Sequence, residues 1–195
     1  GRNTLNDVIK KVAKEIFIPL TVGGGIKKIS DINKLLTTGA DKVAINTHAI
    51  HDNNFLREAC REFGSQCIVL SVQAKKNNVD NMYYSLTDNA RENPNLKVDE
   101  WVKKAQDLGV GEILLSSVDQ DGTKLGFDKE LYKKISEIAK VPVIAHGGAG
   151  TADHILNLCE EKICNAVSIS SIIHYNLYSL IDIKKHLKKN QINIR

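Results

Sequence analysis

At 195 residues, the chain is long enough to bury one core and short enough to form a single domain. Its 42% hydrophobic and 26% charged residues are typical of a globular protein, and no apolar run has membrane-spanning length, so we expect a cytoplasmic location. The net charge of +4 suits an anionic ligand. We interpret the basic segment 184–189 as the solvated end of a last helix, and we predict no nucleic-acid or membrane partner.

The cysteines, Cys60, Cys67, Cys159 and Cys164, contain no CxxC pair. Because metal ligation needs closer spacing or neighbouring histidines, we predict reduced thiols and no metal site. The sequence contains neither GxGxxG nor GxxxxGK(S/T), and we predict no cofactor. The chain starts at Gly1 without a methionine, which indicates that an N-terminal part is missing.

Apolar periodicity, helix caps and glycines place the elements of the first part of the chain. In order, they predict a helix over 5–15, a strand over 17–22 that runs into three glycines, a helix that Ser30 caps and Gly39 ends, a strand over 42–46, a helix over 52–63 and a strand over 66–73. Residues 76–97 are polar, and we expect a functional or disordered loop there, with a short strand at Met82–Ser85.

The same alternation continues in the second part. It predicts a helix over 98–108, a strand over 112–116, a helix capped by Asp128, a strand over 142–146, a helix over 152–161, a strand over 166–170 and a last helix from about 177. Six strand–helix units indicate a parallel α/β sheet, either doubly wound or of the TIM (β/α)₈-barrel family. Glycine turns at equivalent strand ends favour the barrel, with about six of its eight units present in one partial domain over 1–195.

A glycine motif occurs twice, as IPLTVGGGI over 18–26 and as VPVIAHGGAG over 141–150. Each copy places an apolar strand before a glycine turn, and the next strand ends in small polar residues, Asn46-Thr47 or Ser170-Ser171. Glycine turns let the backbone approach a ligand, and the helix that follows offers N–H groups to an anion. Tight turns without a ligand are the alternative, but the duplication favours two phosphate sites and a substrate phosphorylated at both ends.

Six segments carry a family resemblance: IPLTVGGGI (18–26), GADKVAIN (39–46), FGSQC (63–67), GVGEILLSSVDQDGT (109–123), GFD (126–128) and PVIAHGGAG (142–150). In this order, over nearly the whole chain, they resemble the cyclase subunit of imidazole glycerol phosphate synthase in histidine biosynthesis. A sister isomerase of the same pathway shares the glycine loops, but the FGSQC and GEILL segments look like the cyclase.

The resemblance implies a barrel that takes ammonia from a glutaminase subunit, closes an imidazole ring in a bisphosphorylated substrate, and releases imidazole glycerol phosphate and aminoimidazole carboxamide ribotide. Positions matching phosphate contacts are Gly25, Asn46, Gly122, Gly148, Ser170 and Ser171, and the glycine loops and strand ends add Gly24, Thr47, His146 and Gly147. Asp121 and Ser116 match substrate-side positions. Asp41, Lys42 and Glu112 match the ammonia entrance and the glutaminase interface, although by themselves they would be interpreted as solvated charges.

The chain also departs from the family. The first two strands, with the first catalytic aspartate, are missing, and Gln73 occupies the position of the second. An amide cannot titrate, so Gln73 can only form hydrogen bonds. The 77–97 loop lacks the family's glycines, and His146 stands where the family has a small serine. This histidine either donates a hydrogen bond to an anion or titrates near neutral pH, or it is simply a packed or solvated imidazole. Two alternatives therefore remain, which Gln73 discriminates: a paralogue of surface-polysaccharide clusters that channels ammonia to a sugar amidotransferase, and a degenerate phosphate-binding subunit.

Overall fold

The computed structural model describes residues 2–194, with side chains from Asn6 onward. The strands are β1 (Thr21–Gly23), β2 (Lys42–Ile45), β3 (Ile68–Lys76), β4 (Tyr83–Thr87), β5 (Glu92–Lys97), β6 (Glu112–Ser117), β7 (Val143–His146) and β8 (Ala166–Ser168). The helices are α1 (Arg2–Glu15), α2 (Ile29–Thr38), α3 (Thr47–His51), α4 (Asn53–Phe63), α5 (Val98–Leu108), α6 (Lys129–Ser136), α7 (Ala152–Glu160), α8 (Ser171–His174) and α9 (Leu180–Lys189), and Ser65–Cys67 form a 3₁₀ turn. Within 2–194, no helix is long and apolar enough to cross a membrane.

The chain forms two compact units: Gly1–Ser71 with Lys104–Glu112, and Val72–Lys103 with Ile113–Arg195. In the first unit, β1, β2 and the start of β3 pair in parallel, with Val43 opposite both Val22 and Ile68. Helix α4 begins after Asp52, whose carboxylate accepts the N–H groups of the first turn. The apolar face of this helix is buried, through Phe55, Leu56, Ala59 and Cys60.

In the second unit, β6, β7 and β8 pair in parallel, with Ala145 opposite both Leu115 and Val167. The parallel strands of each unit follow one another in chain order, as β1, β2, β3 in the first and β3, β6, β7, β8 in the second. A doubly wound sheet requires a reversal of this order, whereas a (β/α)₈ barrel does not. The α/β prediction is confirmed, and the sequential order of the parallel strands is that of the barrel family.

The polar segment 76–97 forms an ordered β-hairpin, so the expectation of an open loop is wrong. Strand β4 is buried along its length and pairs antiparallel with both β3 and β5. Turn 88–91 closes the hairpin, with Asp88, Asn89 and Ala90 in the left-handed region at φ values of 48°, 57° and 62°. Two further contacts of the segment, from Lys76 to Glu130 (2.6 Å) and from the Tyr83 hydroxyl to Asp128 (2.9 Å), join it to the start of α6.

Several predicted boundaries also differ from the structure. Residues 17–20 do not extend β1, and Phe17 is 98% exposed. Ser30 lies inside α2, which is capped instead by the Asp31 carboxylate accepting the N–H groups of Lys27 and Lys28. Short helices α3 and α8, which the sequence did not predict, follow directly after the polar ends of β2 and β8. The last helix begins at Leu180.

Candidate functional site

A pocket in the second unit gathers most of the residues singled out in the second half of the sequence. We call it the second-unit pocket. Its lining is Asp121, Gly122, Lys124, His146, Gly147, Gly148, Ala149, Ser168, Ile169, Ser170 and Ser171. Seven of these were candidates from the sequence, and they come from the ends of three neighbouring β/α connections: after β6, after β7 and after β8. The residues around the pocket offer backbone N–H groups, hydroxyls, one imidazole and one amine to an anion.

The glycine turn of this pocket, residues 147–150, is closely packed. Gly147 and Gly148 have φ values of 103° and 100°, which side chains disfavour. A Cβ at Gly147 would lie 2.9 Å from the Ser117 carbonyl oxygen, and one at Gly148 would overlap the Gly126 carbonyl oxygen. The N–H of Gly126 in turn donates to the Gly148 carbonyl at 2.8 Å. The glycines are therefore required by neighbouring backbone as well as by conformation.

Tyr132 of α6 fixes the end of β7 from the core side. Its ring is fully buried, and its hydroxyl donates to the His146 carbonyl at 2.5 Å. Burial raises the pKa of Tyr132 well above its usual range, so the hydroxyl keeps its proton and remains a donor.

The His146 side chain faces two acceptors. Its Nδ1 lies 3.4 Å from the Ser168 carbonyl oxygen, and its Nε2 lies 3.6 Å from Oδ1 of Asp121. The carboxyl of Asp121 is 55% exposed, whereas the imidazole is 22% exposed. Whichever ring nitrogen carries the proton, an acceptor of the pocket lies opposite it. The imidazole is therefore a polar group at the rim of the pocket and not part of the core.

Ser116 and Gln73, the other substrate-side candidates, lie on β6 and β3. Ser116 is paired in register with His146, so it belongs to the strand end beside the pocket. The Oε1 of Gln73 accepts the N–H of Ala90 at 3.1 Å. The amide therefore supports the turn of the β4–β5 hairpin, a contact that the sequence alone did not indicate.

The first glycine loop, residues 23–25, lies in the first unit beside the end of β2. Gly23 pairs with Ala44, which places Gly25 and Asn46 at equivalent positions beyond two neighbouring strands. Gly24 and Gly25 have positive φ values of 108° and 65°. Thr47 opens α3, whose first turn closes on the Asn46 carbonyl through the N–H of Ala49 at 2.9 Å. These four predicted phosphate residues thus occupy two adjacent strand ends of one unit.

The predicted ammonia-entrance residues lie at the opposite ends of their strands. Lys42 and Glu112 are the first residues of β2 and β6, and they form an ion pair with each other. Their side chains are only 26% and 24% exposed. The Asp41 carboxylate accepts the N–H of Leu20 at 2.7 Å, so it stabilises the approach to β1. The interpretation of these charges as merely solvated is wrong for Lys42 and Glu112, because each has a partner.

Two of the four cysteines, Cys60 and Cys164, are poorly suited to act as nucleophiles. All four are free thiols, and burial raises the pKa of Cys60 and of Cys164 to about 11, so both remain protonated at neutral pH. Among the residues that the structure describes, no group of three or more His, Cys, Asp or Glu side chains is placed to hold a metal ion.

Sequence reasoning missed Lys124 and Tyr132. Lys124 follows Gly122 by two residues in the loop after β6 and lines the second-unit pocket. A loop lysine next to a glycine turn is a usable signal for an anion site. The bond from Tyr132 to a backbone carbonyl leaves no such signal in the sequence.

Comparisons with known proteins point to one family. The family model described as histidine biosynthesis protein matches residues 1–179. The imidazole glycerol phosphate synthase subunit HisF of Streptococcus mutans serotype c is 40% identical over 195 residues, which are 100% of this chain and 77% of that relative. Proteins of the same name from Bacillus licheniformis and from Hydrogenobaculum sp. are each 44% identical, again over 100% of this chain and 77% of the relative.

Proposed function

The chain belongs to the histidine biosynthesis protein family, and from this premise we propose that it acts as the cyclase subunit of an imidazole glycerol phosphate synthase. All three relatives carry that subunit name and align with the chain from end to end. The resemblance inferred from six sequence segments is confirmed at the level of the family.

One structural observation carries the binding part of the proposal: seven residues chosen from the sequence line a single pocket. We propose that this pocket binds one phosphate of a bisphosphorylated formimino-ribulose substrate, with N–H groups of the glycine turn as donors. The other phosphate would bind at Gly24, Gly25, Asn46 and Thr47, where two strand ends present the same kind of turn. No cofactor enters this reaction.

In the proposed reaction, ammonia reacts with the bound substrate and the imidazole ring closes. The products are imidazole glycerol phosphate and aminoimidazole carboxamide ribotide. Asp121 is the titratable carboxyl of the second-unit pocket, and we assign proton transfer to it. Gln73 stands where the family carries an aspartate, and its amide holds the hairpin turn without exchanging a proton. Ammonia would come from a glutaminase subunit through the strand starts marked by Asp41 and the Lys42–Glu112 pair.

The test uses the full chain with its glutaminase partner and follows product formation from the bisphosphorylated substrate. Gln73→Asp restores a titratable group, so ammonium-dependent turnover should rise by about 10²–10⁴-fold, the usual contribution of a general acid or base. Gln73→Asn is the matched control, because it shortens the side chain as Gln73→Asp does but introduces no titratable group. Turnover should not rise in this variant. Glutamine should replace ammonium only when the glutaminase is present.

Equal turnover in the original chain and in Gln73→Asp would overturn the role assigned to position 73. Failure of the bisphosphorylated substrate to bind at all would overturn the cyclase proposal.

Gln73 specifically favours a second function, because its amide accepts the Ala90 N–H and cannot transfer a proton. In this reading the chain is a cyclase-like paralogue that channels ammonia to a sugar amidotransferase. It then stimulates a partner glutaminase while neither the original chain nor Gln73→Asp turns over the bisphosphorylated substrate. A degenerate phosphate-binding subunit would show neither stimulation nor turnover.

A further inference from the structure

The second-unit pocket contains one permanent cation among its described lining residues, Lys124. A phosphate monoester carries a charge of about −1.5 to −2 at neutral pH. The exposed Asp121 carboxylate, on the same pocket, opposes such an anion. The amine of Lys124 is therefore the group that can offset this repulsion.

The backbone of Lys124 is held in an unfavourable conformation. Its φ is 63°, a region that L residues other than asparagine and aspartate rarely occupy. The Lys124 carbonyl oxygen occupies the space that a Cβ on Gly150 would need, so the backbone of Lys124 packs against the glycine turn of the pocket. A glycine would adopt this φ without strain, so a lysine at this position carries a conformational cost.

The ammonium of Lys124 rests on an aromatic ring. Its Nζ lies 4.2 Å from the ring centroid of Tyr175, a cation–π distance. Tyr175 follows α8 directly, and its N–H donates to the carbonyl of Ser171, the pocket residue that opens this helix. The ring is 60% exposed, so burial in a core does not explain its position.

We propose that Tyr175 is a positioning residue that holds the Lys124 ammonium at the rim of the second-unit pocket, where Lys124 binds the phosphate of the substrate. This inference rests on the proposed function, since it needs a phosphate in the pocket. The inference adds two residues to a site otherwise built from glycine N–H groups and serines. Lys124 contacts the anion, and Tyr175 acts by positioning Lys124.

The experiment titrates the full chain with inorganic phosphate and follows the backbone amide resonances of Gly148 and Ser171 by NMR. These resonances report on the second-unit pocket even when phosphate also binds elsewhere. Lys124→Met should weaken phosphate binding by about 10-fold or more, as expected for loss of a charged hydrogen bond. Tyr175→Leu should weaken it by about 2- to 5-fold, as expected for loss of an exposed cation–π contact.

Three further variants separate positioning from a general effect on α8. Tyr175→Phe retains the ring and should rescue the affinity lost in Tyr175→Leu. Tyr178→Leu removes another partly exposed tyrosine of the same segment and should leave the affinity unchanged. In the Lys124→Met background, Tyr175→Leu should have no additional effect, because its action depends on the lysine.

With substrate, KM should rise in Tyr175→Leu while kcat stays the same. Additive effects of the two substitutions, or no rescue by phenylalanine, would overturn the positioning role while leaving the pocket as a phosphate site. If phosphate does not shift the Gly148 and Ser171 resonances of the original chain, the proposed phosphate site itself is overturned.

Discussion

The two glycine loops look like copies in the sequence, yet their surroundings differ. At Gly24 in the first loop, an added Cβ would meet no heavy atom within 4 Å. At Gly148 and Gly150 in the second loop, an added Cβ would overlap the carbonyl oxygens of Gly126 and Lys124. Gly23, at the end of β1, is itself crowded, since an added Cβ would lie 2.9 Å from the Ala44 carbonyl oxygen. The contrast therefore lies between Gly24, which is needed only for its backbone conformation, and Gly148, which is needed for conformation and for close packing.

This difference shows that a repeated motif can be maintained by two separate physical requirements. In the second loop, the turn after β6 lies directly against the turn after β7, which holds the backbone of residues 147–150 in place. In the first loop, the open space over Gly24 leaves the same kind of turn accessible. Substitutions that add one methyl group should separate the two requirements.

Gly148→Ala should have the largest effect. Backbone strain at a positive φ contributes about 1–3 kcal/mol and overpacking about another 1–3 kcal/mol, so the free energy of unfolding should fall by about 4 kcal/mol. Urea denaturation of the full chain measures this. A loss below about 1 kcal/mol would mean that the turn after β6 moves aside easily, and the distinction between the loops would disappear.

Tyr132→Phe should have an intermediate effect, because it leaves the partly buried His146 carbonyl without its hydroxyl donor. An unsatisfied buried polar group lowers the free energy of unfolding by about 1–3 kcal/mol. Tyr83→Phe is the matched control, since its hydroxyl bonds to Asp128, whose carboxylate also caps α6 through the Leu131 N–H and so keeps a donor. A smaller loss in Tyr132→Phe than in Tyr83→Phe would contradict this assignment.

Gly24→Ala should have the smallest effect, because only the backbone conformation opposes it. A residue with a side chain in a left-handed conformation loses about 1–2 kcal/mol, partly offset by the reduced entropy of the unfolded chain. Gly122→Ala sharpens the comparison: Gly122 lies in the second unit but has φ 76° and an equally open Cβ position. If crowding decides, Gly122→Ala should behave like Gly24→Ala in thermal denaturation. If Gly122→Ala instead loses as much stability as Gly148→Ala, the loss depends on the unit in which the glycine lies and not on the crowding around its Cβ position.

Much of the fold was predictable because apolar spacing and caps act locally. The predicted helix over 98–108 matches α5 residue for residue, and Asp128 caps α6 as expected, accepting the Leu131 N–H. The strand over 17–22 was overestimated, because β1 pairs only from Thr21, opposite Lys42. Apolar residues such as Phe17 do not form a strand without a partner in register.

The β4–β5 hairpin was obscured by its composition. Strand β5 contains Pro94 and several polar residues, which argue against a strand, but a strand at the edge of a sheet tolerates both. Strand β4 buries Ser85 and Thr87 completely, although serine and threonine usually indicate exposure. Both features depend on tertiary placement.

At the candidate site, residue types and strand ends were enough to find the two glycine loops and the serines at 170–171, whereas Asp121 and Gly122 came from the family resemblance. The contacts of Gln73 with Ala90, of Tyr132 with His146 and of Lys124 with Tyr175 join residues distant in sequence. No local pattern could have predicted them, since each depends on how two connections meet.

The β4–β5 hairpin also has a consequence for the order in which the chain folds. Its strands join through the short turn 88–91, whereas the parallel pairing of β1 with β2 must first close a connection through the whole of α2. Hairpins form in about 1–10 μs, and pairing between strands distant in sequence is slower because loop closure opposes it. We therefore expect this hairpin to acquire native structure before the parallel strands do, as an early local nucleus beside the position of Gln73.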